Sequence, residues 1–335
     1  MHSILAIIWV VCVTTLVGRY AVPIAQFLGV MDVPGGRKIH NGSIPLVGGI
    51  AVCVAVLPIL PFFMANLVTA MTISIATFLL LALGVRDDHE HLRPLFRLAF
   101  SFIVIAVAIW LVPELSLSSI KFSFKPEEML LGSMAVPFTL ICLVGLQNAV
   151  NMADGKNGLV LGLSIIWALS MALHAPTSIA IFLGVAVIAM SVVLYFNLKG
   201  RLFLGDGGTY GLSILWGMLA VYLNQSMPLA VPSDLLVLWF IIPILDCTRL
   251  IVSRVVNGQS PFVGDRNHLH HLIYEVMPNW KYGLMLYLCV VAVPIILASL
   301  FPAATGLLAV GMVGVYMLMY VSFSNKASIK RSPAE

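Results

Sequence analysis

The sequence predicts an all-α membrane protein with about 11 transmembrane helices. Three observations support this fold class. Of the 335 residues, 61% are hydrophobic and 10% are charged, with a mean hydropathy of +1.05. A soluble globular domain carries about a quarter charged residues. Apolar runs of about 20 residues recur along the chain, and a lipid-exposed backbone that must satisfy its own hydrogen bonds favours helices.

The predicted spans form one transmembrane domain over residues 1–325, followed by a short cytoplasmic tail at 326–335. The first run has no basic residues before it and Arg19 after it, which favours a retained helix with its N-terminus outside rather than a cleaved signal. The runs lie at about residues 4–17, 46–64, 66–85, 95–113, 129–147, 159–174, 176–196, 208–224, 234–252, 281–300 and 303–323.

The charge distribution supports this topology. Counting crossings from an outside N-terminus places the loops near 31–45, 86–94, 148–158, 197–207 and 253–280, and the C-terminal tail, in the cytoplasm. All of the 18 Lys and Arg residues except Lys121 and Lys125 then lie inside, as the positive-inside rule requires. We therefore expect a multi-pass protein whose polar inner loops meet at one membrane face.

The one sizeable outer loop covers residues 114–128. Its apolar and polar residues alternate from Leu115 to Phe124, which is typical of a small β-hairpin. A simple connector is the alternative, and it is the favoured interpretation of this loop.

A dense polar run between two apolar segments covers Asn148–Leu159. It holds three asparagines, Asp154, a lysine and two glycines before Leu159. Such groups are costly beside a bilayer unless they line a water-filled site or meet a charged ligand. The run is therefore the first candidate site segment.

A pair of acids, Asp87 and Asp88, ends a fully apolar segment, with Arg86, Arg93 and Arg97 close in sequence. Adjacent acids repel each other unless a cation or a proton separates them, so the pair suggests a metal ligand or a general base. A solvated loop is an equally good alternative for the pair taken alone.

A glycine-rich segment, Leu204–Thr209, leads directly into a predicted helix. Glycines let backbone N–H groups approach an anion, and Asp206 within the segment suggests a bound Mg²⁺. The alternative is an ordinary helix cap with glycine turns, since the segment matches neither a P-loop nor a Rossmann fingerprint.

Three histidines, His268, His270 and His271, lie within a few residues of Asp265 and Arg266. Arg beside His suits phosphate oxygens. Zinc is a less favoured alternative, because three histidines this close seldom reach one ion. Further upstream, Asp246 and Arg249 lie three residues apart on a predicted helix and are expected to form a structural pair.

These polar segments together supply acids for a divalent metal, basic groups for phosphates and amides for a polar ligand. Phosphoryl transfer needs this set, because its catalysis consists chiefly of positioning and charge neutralisation. A water-soluble donor would arrive from the cytoplasm and a lipid acceptor from the bilayer.

The order and spacing of the motifs carry a resemblance to a known family. The motifs are Asp87-Asp88, Asn148-x-x-Asn151-x-x-Asp154-Gly-x-x-Gly158-Leu159, Phe203-Leu-Gly-Asp206 and Asp265-Arg-x-His-Leu-His-His271, extended by Arg37-Lys-Ile-His40-x-Gly-x-Ile-Pro45-Leu-Val-Gly-Gly49 and Ser260-Pro-Phe262. Over nearly the whole chain they resemble the polyprenyl-phosphate N-acetylhexosamine-1-phosphate transferases of the glycosyltransferase 4 (MraY–WecA) superfamily, and most closely its WecA/TagO-like branch.

The resemblance implies an activity. UDP-N-acetylhexosamine, most simply UDP-GlcNAc, and undecaprenyl phosphate would give undecaprenyl-diphosphate-N-acetylhexosamine and UMP, with Mg²⁺ or Mn²⁺ as cofactor. This would initiate a bacterial surface polysaccharide of the lipopolysaccharide O-antigen, enterobacterial common antigen or teichoic-acid type, at the cytoplasmic (inner) membrane. The expected partners are these two substrates, the lipid bilayer and a second copy of the chain in a homodimer, with no nucleic acid.

The resemblance also implies roles for individual residues. Asp206 and Asn151 would bind the metal. Asp87, Asp88, Asp154 and His268 would be catalytic, with Asp87 and Asp88 positioning or deprotonating the lipid phosphate. The residues that would bind substrate include Phe203, stacked on uracil, and Arg266, His270 and His271, on the diphosphate and sugar; the others are Arg97, Asn148 and Asn157.

One departure from the family pattern concerns Asn157, where bacterial members usually carry Asp. This leaves an inactive paralogue as an alternative. Another UDP-sugar donor (QuiNAc, FucNAc or GalNAc) is a second alternative. A transporter of anionic solutes is a third, and it would need polar groups near the membrane midplane and an inverted repeat.

Overall fold

The computed structural model describes residues 2–33, 42–125, 127–227, 230–261 and 267–331, and most of these residues are helical. The α-helices within these ranges are α1 (His2–Arg19), α2 (Ala21–Leu28), α3 (Gly48–Val56), α4 (Leu67–Glu90), α5 (Pro94–Leu111), α6 (Ala135–Ala153), α7 (Leu159–His174), α8 (Thr177–Leu198), α9 (Gly205–Ser226), α10 (Ser233–Val256), α11 (Leu269–Val276), α12 (Trp280–Leu300) and α13 (Thr305–Arg331).

Each predicted apolar run overlaps a helix; the run at 46–64 covers α3 and the 3₁₀ turn that continues it to Phe62, and the run at 129–147 begins in a β-strand and a 3₁₀ turn before α6. Eight of the described helices are long and apolar enough to cross a membrane, which supports an all-α polytopic membrane protein. The segment Gly48–Phe62 and α7 are apolar but shorter. The helix α9 has sufficient length, but Asp206 and three glycines occupy its start. The count of about 11 spans therefore stays a prediction.

Two short helices, α2 and α11, were not predicted as separate elements. The helix α2 ends at Gly29, which adopts the left-handed conformation with φ 69° and donates its N–H to the carbonyls of Ala25 and Gln26. Such a glycine is a common helix terminator. The helix α11 begins directly at the histidine segment, with His268 as its N-cap residue.

The outer loop forms a β-hairpin, so the favoured expectation of a simple connector was wrong. Strands β3 (Ser119–Lys121) and β4 (Glu128–Leu130) pair antiparallel. The hairpin is tied to the helices: Ser123 donates through its N–H (3.1 Å) and Oγ (2.5 Å) to Asp234 of α10, and the Lys121 N–H donates to Ser233 Oγ. These long-range bonds supply the partners that an isolated short hairpin lacks.

A second pair of strands, β1 (Met31–Asp32) and β2 (Ile44–Pro45), encloses the segment 34–41. The predicted site residues Arg37, Lys38 and His40 lie in that segment, outside the described residues.

Close packing of α4 against α9 fixes the central part of the molecule. A Cβ at Gly84 would overlap the backbone of Asp206, so the two helices approach more closely than larger residues would allow. Asn66 caps the N-terminus of α4: its side-chain oxygen accepts hydrogen bonds from the N–H groups of Val68 (2.9 Å) and Thr69 (3.2 Å). This packing brings the C-terminal turn of α4 beside the first turn of α9.

The ends of α4, α6 and α8 and the beginnings of α5, α7 and α9 lie at the same end of the bundle, because consecutive helices run in opposite directions. The β3–β4 hairpin lies at the other end. The last helix, α13, continues to Arg331, where the guanidinium pairs with Glu275 of α11. The predicted division into a domain at 1–325 and a tail at 326–335 stays a prediction.

Candidate functional site

Three aspartates and one asparagine meet where α4, α6 and α9 converge, and we call Asp87, Asp88, Asn151 and Asp206 the carboxylate cluster. Asp87 is buried, pairs with Arg97 of α5, and accepts the N–H of Leu92 at 2.8 Å. The Tyr210 hydroxyl lies 3.4 Å from its other carboxylate oxygen. Asp87 is therefore held from α5, from α9 and from the turn after α4.

Asp88 binds the beginning of α9. Its two carboxylate oxygens accept the N–H groups of Asp206 (3.0 Å) and Gly207 (3.2 Å), which would otherwise be unpaired at a helix N-terminus. Gly205 allows this contact: its φ is +77°, and a Cβ there would lie 2.7 Å from Asp88 Oδ2. The geometry favours a positioning role for Asp88, whose two oxygens already bind the backbone.

Asp206 projects from the first turn of α9. Its Oδ1 accepts Asn151 Nδ2 at 2.8 Å, and the same nitrogen lies 3.0 Å from Thr209 Oγ1. Asp87 and Asp88 are close enough to interact electrostatically with Asp206. In this arrangement Asn151 orients Asp206 through its amide nitrogen, and ligation of a metal through its amide oxygen stays a prediction.

The donor set of the carboxylate cluster fits a hard divalent cation. Carboxylate and amide oxygens are the ligands that Mg²⁺ prefers, and the cluster concentrates three carboxylates, one of which pairs with Arg97. Adjacent carboxylates repel each other unless a cation or proton is shared between them. The residues present therefore fit the predicted metal.

Asp154 follows α6, and its backbone N–H bonds to the Asn151 carbonyl at 3.1 Å. Burial, followed by the charge of Asp206, raises the pKa of Asp154 to about 7. A carboxyl group with a pKa near neutrality can exchange a proton during a reaction at physiological pH.

The rest of the Asn148–Leu159 segment is held in place by its neighbours. Asn148 donates to the Val144 carbonyl in its own helix, and the Asn157 carbonyl accepts Trp280 Nε1 at 2.7 Å. The N–H of Gly158 donates to Asn197 Oδ1 at 2.6 Å. Lys156, for which the sequence suggested no role, places its Nζ 3.2 Å from the centre of the Tyr274 ring in a cation–π contact.

Phe203 lies in the loop that joins α8 to α9. Its N–H donates to the Pro45 carbonyl and its own carbonyl accepts the N–H of Gly48, both at 2.9 Å. The side chain is half-buried. These two hydrogen bonds fix the loop to β2 and to the start of α3.

The second group of site residues consists of His268, His270, His271 and Asp246, which we call the histidine cluster. The three imidazole rings have centroids between 4.2 and 6.2 Å apart. Asp246 is buried in α10, and its Oδ2 lies 2.9 Å from His268 Nδ1. Its Oδ1 accepts the Leu269 N–H (3.1 Å), the Tyr316 hydroxyl (2.9 Å) and Arg249 Nη2 (3.0 Å).

The Asp246–Arg249 pair predicted from the sequence is present, but it belongs to this larger network. Ligand atoms of Asp246, His268 and His270 lie within 4.8 Å of one another, a spacing that a metal could use. Because four donors already occupy the Asp246 oxygens, the network is a better description of this group than a zinc site.

His270 is the most enclosed member of the histidine cluster. Both ring nitrogens are buried with no hydrogen-bond partner among the described residues. Burial, followed by the charges of His271 and His268, holds the pKa of His270 well below its usual value, so the ring is neutral at pH 7.

The Asn148–Leu159 segment joins the two clusters. A Cβ at Gly155 would overlap the His270 ring and would lie 3.0 Å from His271 Nε2, so the segment passes directly against the histidines. One residue earlier, Asp154 interacts with Asp206. Among the predicted site residues, Arg266 lies outside the described part of the chain.

The sequence interpretation missed Asn197 and Tyr316 and underestimated Asp246. Asn197 bonds both the Gly158 N–H and the Leu202 carbonyl (3.0 Å), thereby linking two site loops. An aspartate within an apolar helix was a usable signal for Asp246, because charged residues in membrane spans usually serve a site.

Known proteins are similar in sequence to this chain over most of its length. A family model described as Glycosyl transferase family 4 matches residues 70–224, which include the carboxylate cluster. The probable undecaprenyl-phosphate N-acetylglucosaminyl 1-phosphate transferase of Bacillus subtilis (strain 168) is 32% identical over 279 residues, covering 80% of this chain and 75% of the relative.

Two further relatives are both named undecaprenyl-phosphate alpha-N-acetylglucosaminyl 1-phosphate transferase. The protein of Escherichia coli (strain K12) is 33% identical over 275 residues, covering 78% of this chain and 73% of its own length. The protein of Yersinia pestis is 34% identical over 269 residues, covering 75% and 71%. The resemblance seen in the motifs is thus confirmed, and the chain belongs to glycosyl transferase family 4.

Proposed function

We propose that the protein transfers N-acetylhexosamine 1-phosphate from a UDP-sugar to undecaprenyl phosphate, releasing UMP. The observation that carries the proposal is the carboxylate cluster, which unites Asp87, Asp88 and Asp206 from two helices at one end of the bundle. The names of the relatives support the acceptor and the sugar phosphate, with N-acetylglucosamine as the first choice of sugar.

In this reaction an oxygen of the lipid phosphate bonds to the sugar-bearing phosphorus of the donor, while the bond from that phosphorus to the UMP oxygen breaks. Both reactants are anions, so the site must neutralise charge and align the groups. Mg²⁺ bound by Asp206 and supported by Asn151 would supply the positive charge on the phosphate oxygens.

Asp87 is the side chain best placed to serve the acceptor. The Arg97 guanidinium and the Tyr210 hydroxyl fix its carboxylate, and Arg97 remains partly exposed in the first turn of α5. Arg97 can therefore attract the lipid phosphate while Asp87 orients it or accepts its proton. Asp88 keeps the start of α9, and hence Asp206, in position.

The histidine cluster and the Asn148–Leu159 segment form the donor side of the proposed site. His268, fixed by Asp246, and His271, at the edge of the buried His270, would donate hydrogen bonds to the diphosphate. Phe203 would stack on the uracil and Asn157 would contact the uridine. Asp154, with a pKa of about 7, would hold or release a proton beside the metal.

The proposed setting is the bacterial cytoplasmic membrane, with the site facing the cytosol. This orientation follows from the positive-inside count, in which all Lys and Arg residues but Lys121 and Lys125 share the side of the site. UDP-sugar would enter from the cytosol and undecaprenyl phosphate from the bilayer. The product would initiate a cell-surface polysaccharide.

The proposal is tested by incubating the purified full-length protein with UDP-GlcNAc, undecaprenyl phosphate and Mg²⁺ and following UMP release. We expect turnover that EDTA abolishes and that added Mg²⁺ or Mn²⁺ restores. Asp206→Ala should remove most of the activity, whereas Asp234→Asn, at the opposite end of the bundle, should not. Absence of UMP release with every N-acetylhexosamine donor would refute the proposal.

The same assay identifies the sugar. UDP-GlcNAc, UDP-GalNAc, UDP-QuiNAc and UDP-FucNAc are compared at equal concentration, with the lipid product analysed by mass spectrometry. We expect the highest kcat/KM for UDP-GlcNAc. If another UDP-sugar is preferred, the proposed reaction class still holds, and that sugar replaces N-acetylglucosamine as the proposed substrate.

A further inference from the structure

A groove between α1 and α8 lies outside the proposed reaction site. Its wider part is a cavity of about 780 Å³ at the end of the bundle where the site loops lie, and its walls include Arg19, Pro45 and Arg201. A second cavity, of about 490 Å³, shares Thr15, Tyr195 and Phe196 with the first. The two cavities form one feature, the α1–α8 groove.

The wide end of the groove is positively charged. Arg19 and Arg201 are both exposed, and neither has an ion-pair partner within the described part of the chain. Lys199 stands next to them, with its Nζ 2.6 Å from the Tyr195 hydroxyl. The described residues that line the groove include no acid. An unpaired arginine pair at a membrane surface is suited to a phosphate group.

The narrow end is mostly apolar and runs along α8 toward the middle of the membrane. It is lined by Ile188, Val192 and Phe196, with the hydroxyls of Thr15 and Ser191 at its edge. The seven residue steps from Ile188 to Tyr195 give a rise of about 10 Å along a helix. The groove therefore has a cationic end near the membrane surface and an apolar end within the hydrocarbon.

From this shape and charge we propose that the α1–α8 groove binds an anionic phospholipid of the surrounding bilayer. The headgroup phosphate would lie between Arg19 and Arg201, and one acyl chain would follow Phe196 and Ile188. None of the described groove residues belongs to the carboxylate or histidine cluster, and the groove is therefore assigned to a lipid other than the acceptor.

The groove shares its walls with segments that hold the reaction site. The Pro45 carbonyl, in the wall, accepts the N–H of Phe203 at 2.9 Å. On the other side, Gly200 and Arg201 belong to the turn that Asn197 closes by bonding the Leu202 carbonyl, while the same Asn197 binds the Gly158 N–H. A bound phosphate at Arg201 would steady this turn and, through it, the donor side of the site.

The binding test uses the full-length protein in nanodiscs of phosphatidylcholine containing a minor fraction of phosphatidylglycerol. Lipids that stay bound after release into mild detergent are counted by native mass spectrometry. We expect retained phosphatidylglycerol on the wild type and a loss of about tenfold or more in Arg19→Gln/Arg201→Gln, since each basic residue near a membrane contributes to anionic-lipid attraction. Lys281→Gln/Lys326→Gln removes two exposed charges elsewhere and serves as the matched control.

The activity test rests on the proposed function. In the wild type and in the control, phosphatidylglycerol should raise kcat by about 3- to 10-fold over phosphatidylcholine alone, as expected when a bound ligand orders a site loop. The arginine double variant should keep the activity seen in pure phosphatidylcholine and lose the increase. Because lipid retention is measured without turnover, an inactive protein would refute the proposed function and leave the binding result intact.

Three outcomes would overturn the lipid proposal. Equal retention of phosphatidylglycerol by the wild type and the arginine variant would show that Arg19 and Arg201 do not form a lipid site. A raised KM for undecaprenyl phosphate in pure phosphatidylcholine would assign the groove to the acceptor. Disulfide-linked dimers formed by a Ser191→Cys variant in nanodiscs loaded with two copies would assign the groove to a second copy of the chain.

Discussion

The carboxylate cluster and the histidine cluster differ in how the negative charge of their carboxylates is balanced. In the first, Asp87, Asp88 and Asp206 lie close together, and their negative charges exceed the charge of Arg97. In the second, Asp246 is surrounded by donors from His268, Leu269, Tyr316 and Arg249. The excess negative charge of the first cluster favours a bound cation or proton, whereas in the second the described donors balance the charge of Asp246 and hold His268 in place.

This difference separates two kinds of role. A group of carboxylates with an excess of negative charge binds a metal ion or a proton, and such a group can take part in the reaction. A carboxylate whose charge is balanced by its hydrogen-bond donors instead holds the neighbouring side chains in position. We therefore expect the first cluster to control whether the reaction occurs and the second to control how well the donor is oriented.

The largest expected effect concerns Asp87. Asp87→Asn removes the charge that holds Arg97 and keeps the shape, so UMP release should fall by about 1,000-fold or more, as for other groups that stabilise charge in a transition state. Thermal unfolding of the variant should be within a few degrees of the wild type. Activity within tenfold of the wild type would mean that the two clusters do not divide the roles in this way.

A smaller effect is expected at Asp246. Asp246→Asn keeps one acceptor oxygen but disturbs the bonds to His268 and Arg249, so kcat/KM for the UDP-sugar should fall by about 10- to 100-fold, corresponding to the loss of charge-assisted hydrogen bonds. The KM for undecaprenyl phosphate should change little. Tyr316→Phe removes one donor and should give a decrease of about three- to tenfold. Equal effects on both substrates would indicate a general structural role.

The pH dependence of stability should have opposite signs at Asp154, which interacts with Asp206, and at His270 of the histidine cluster. The pKa of Asp154 is raised to about 7 in the folded protein, above its ordinary value of 3.8. Between these two pH values the folded state holds a proton that the unfolded state releases, so stability falls as the pH rises from about 4 to about 7. Asp154→Asn should therefore unfold at a higher temperature than the wild type at pH 8, with the difference shrinking toward pH 4.

The histidine cluster should show the reverse trend. The pKa of His270 lies below its ordinary 6.5, so the unfolded state binds the extra proton at acidic pH and stability is lost as the pH falls below 6.5. His270→Asn should reduce the loss of stability between pH 7 and pH 5. Both variants are measured by thermal unfolding in metal-free detergent solution. Parallel pH profiles for both variants and the wild type would contradict the assigned pKa directions.

The smallest effect on activity is expected at the opposite end of the bundle. Asp234→Asn weakens the bonds that join Ser123 of the hairpin to α10. The melting temperature should fall by a few degrees while kcat and KM stay within about twofold of the wild type, because mutations distant from the site affect stability rather than chemistry. A tenfold loss of kcat would show that the hairpin end is coupled to the reaction site.

Sequence patterns predicted the helical fold well, because apolar runs in a bilayer have few alternatives to a helix. They also singled out the residues of both clusters other than Asp246, since polar groups are conspicuous among apolar ones. They could not show that Asp88 binds the backbone of α9, or that Asp246 binds His268, because these contacts join residues far apart in the chain. The hairpin was undervalued for the same reason: its partners, Ser233 and Asp234, lie on a distant helix.

The bond between Asp88 and the start of α9 has a consequence for biosynthesis. The carboxylate and the amide it caps are 118 residues apart in the chain. Helices α5 to α8 must therefore be synthesised and inserted before Asp88, at the end of α4, can bind the start of α9. The nascent chain carries that acid without its final neighbours during this interval, and it becomes a complete enzyme only after α9 has been inserted.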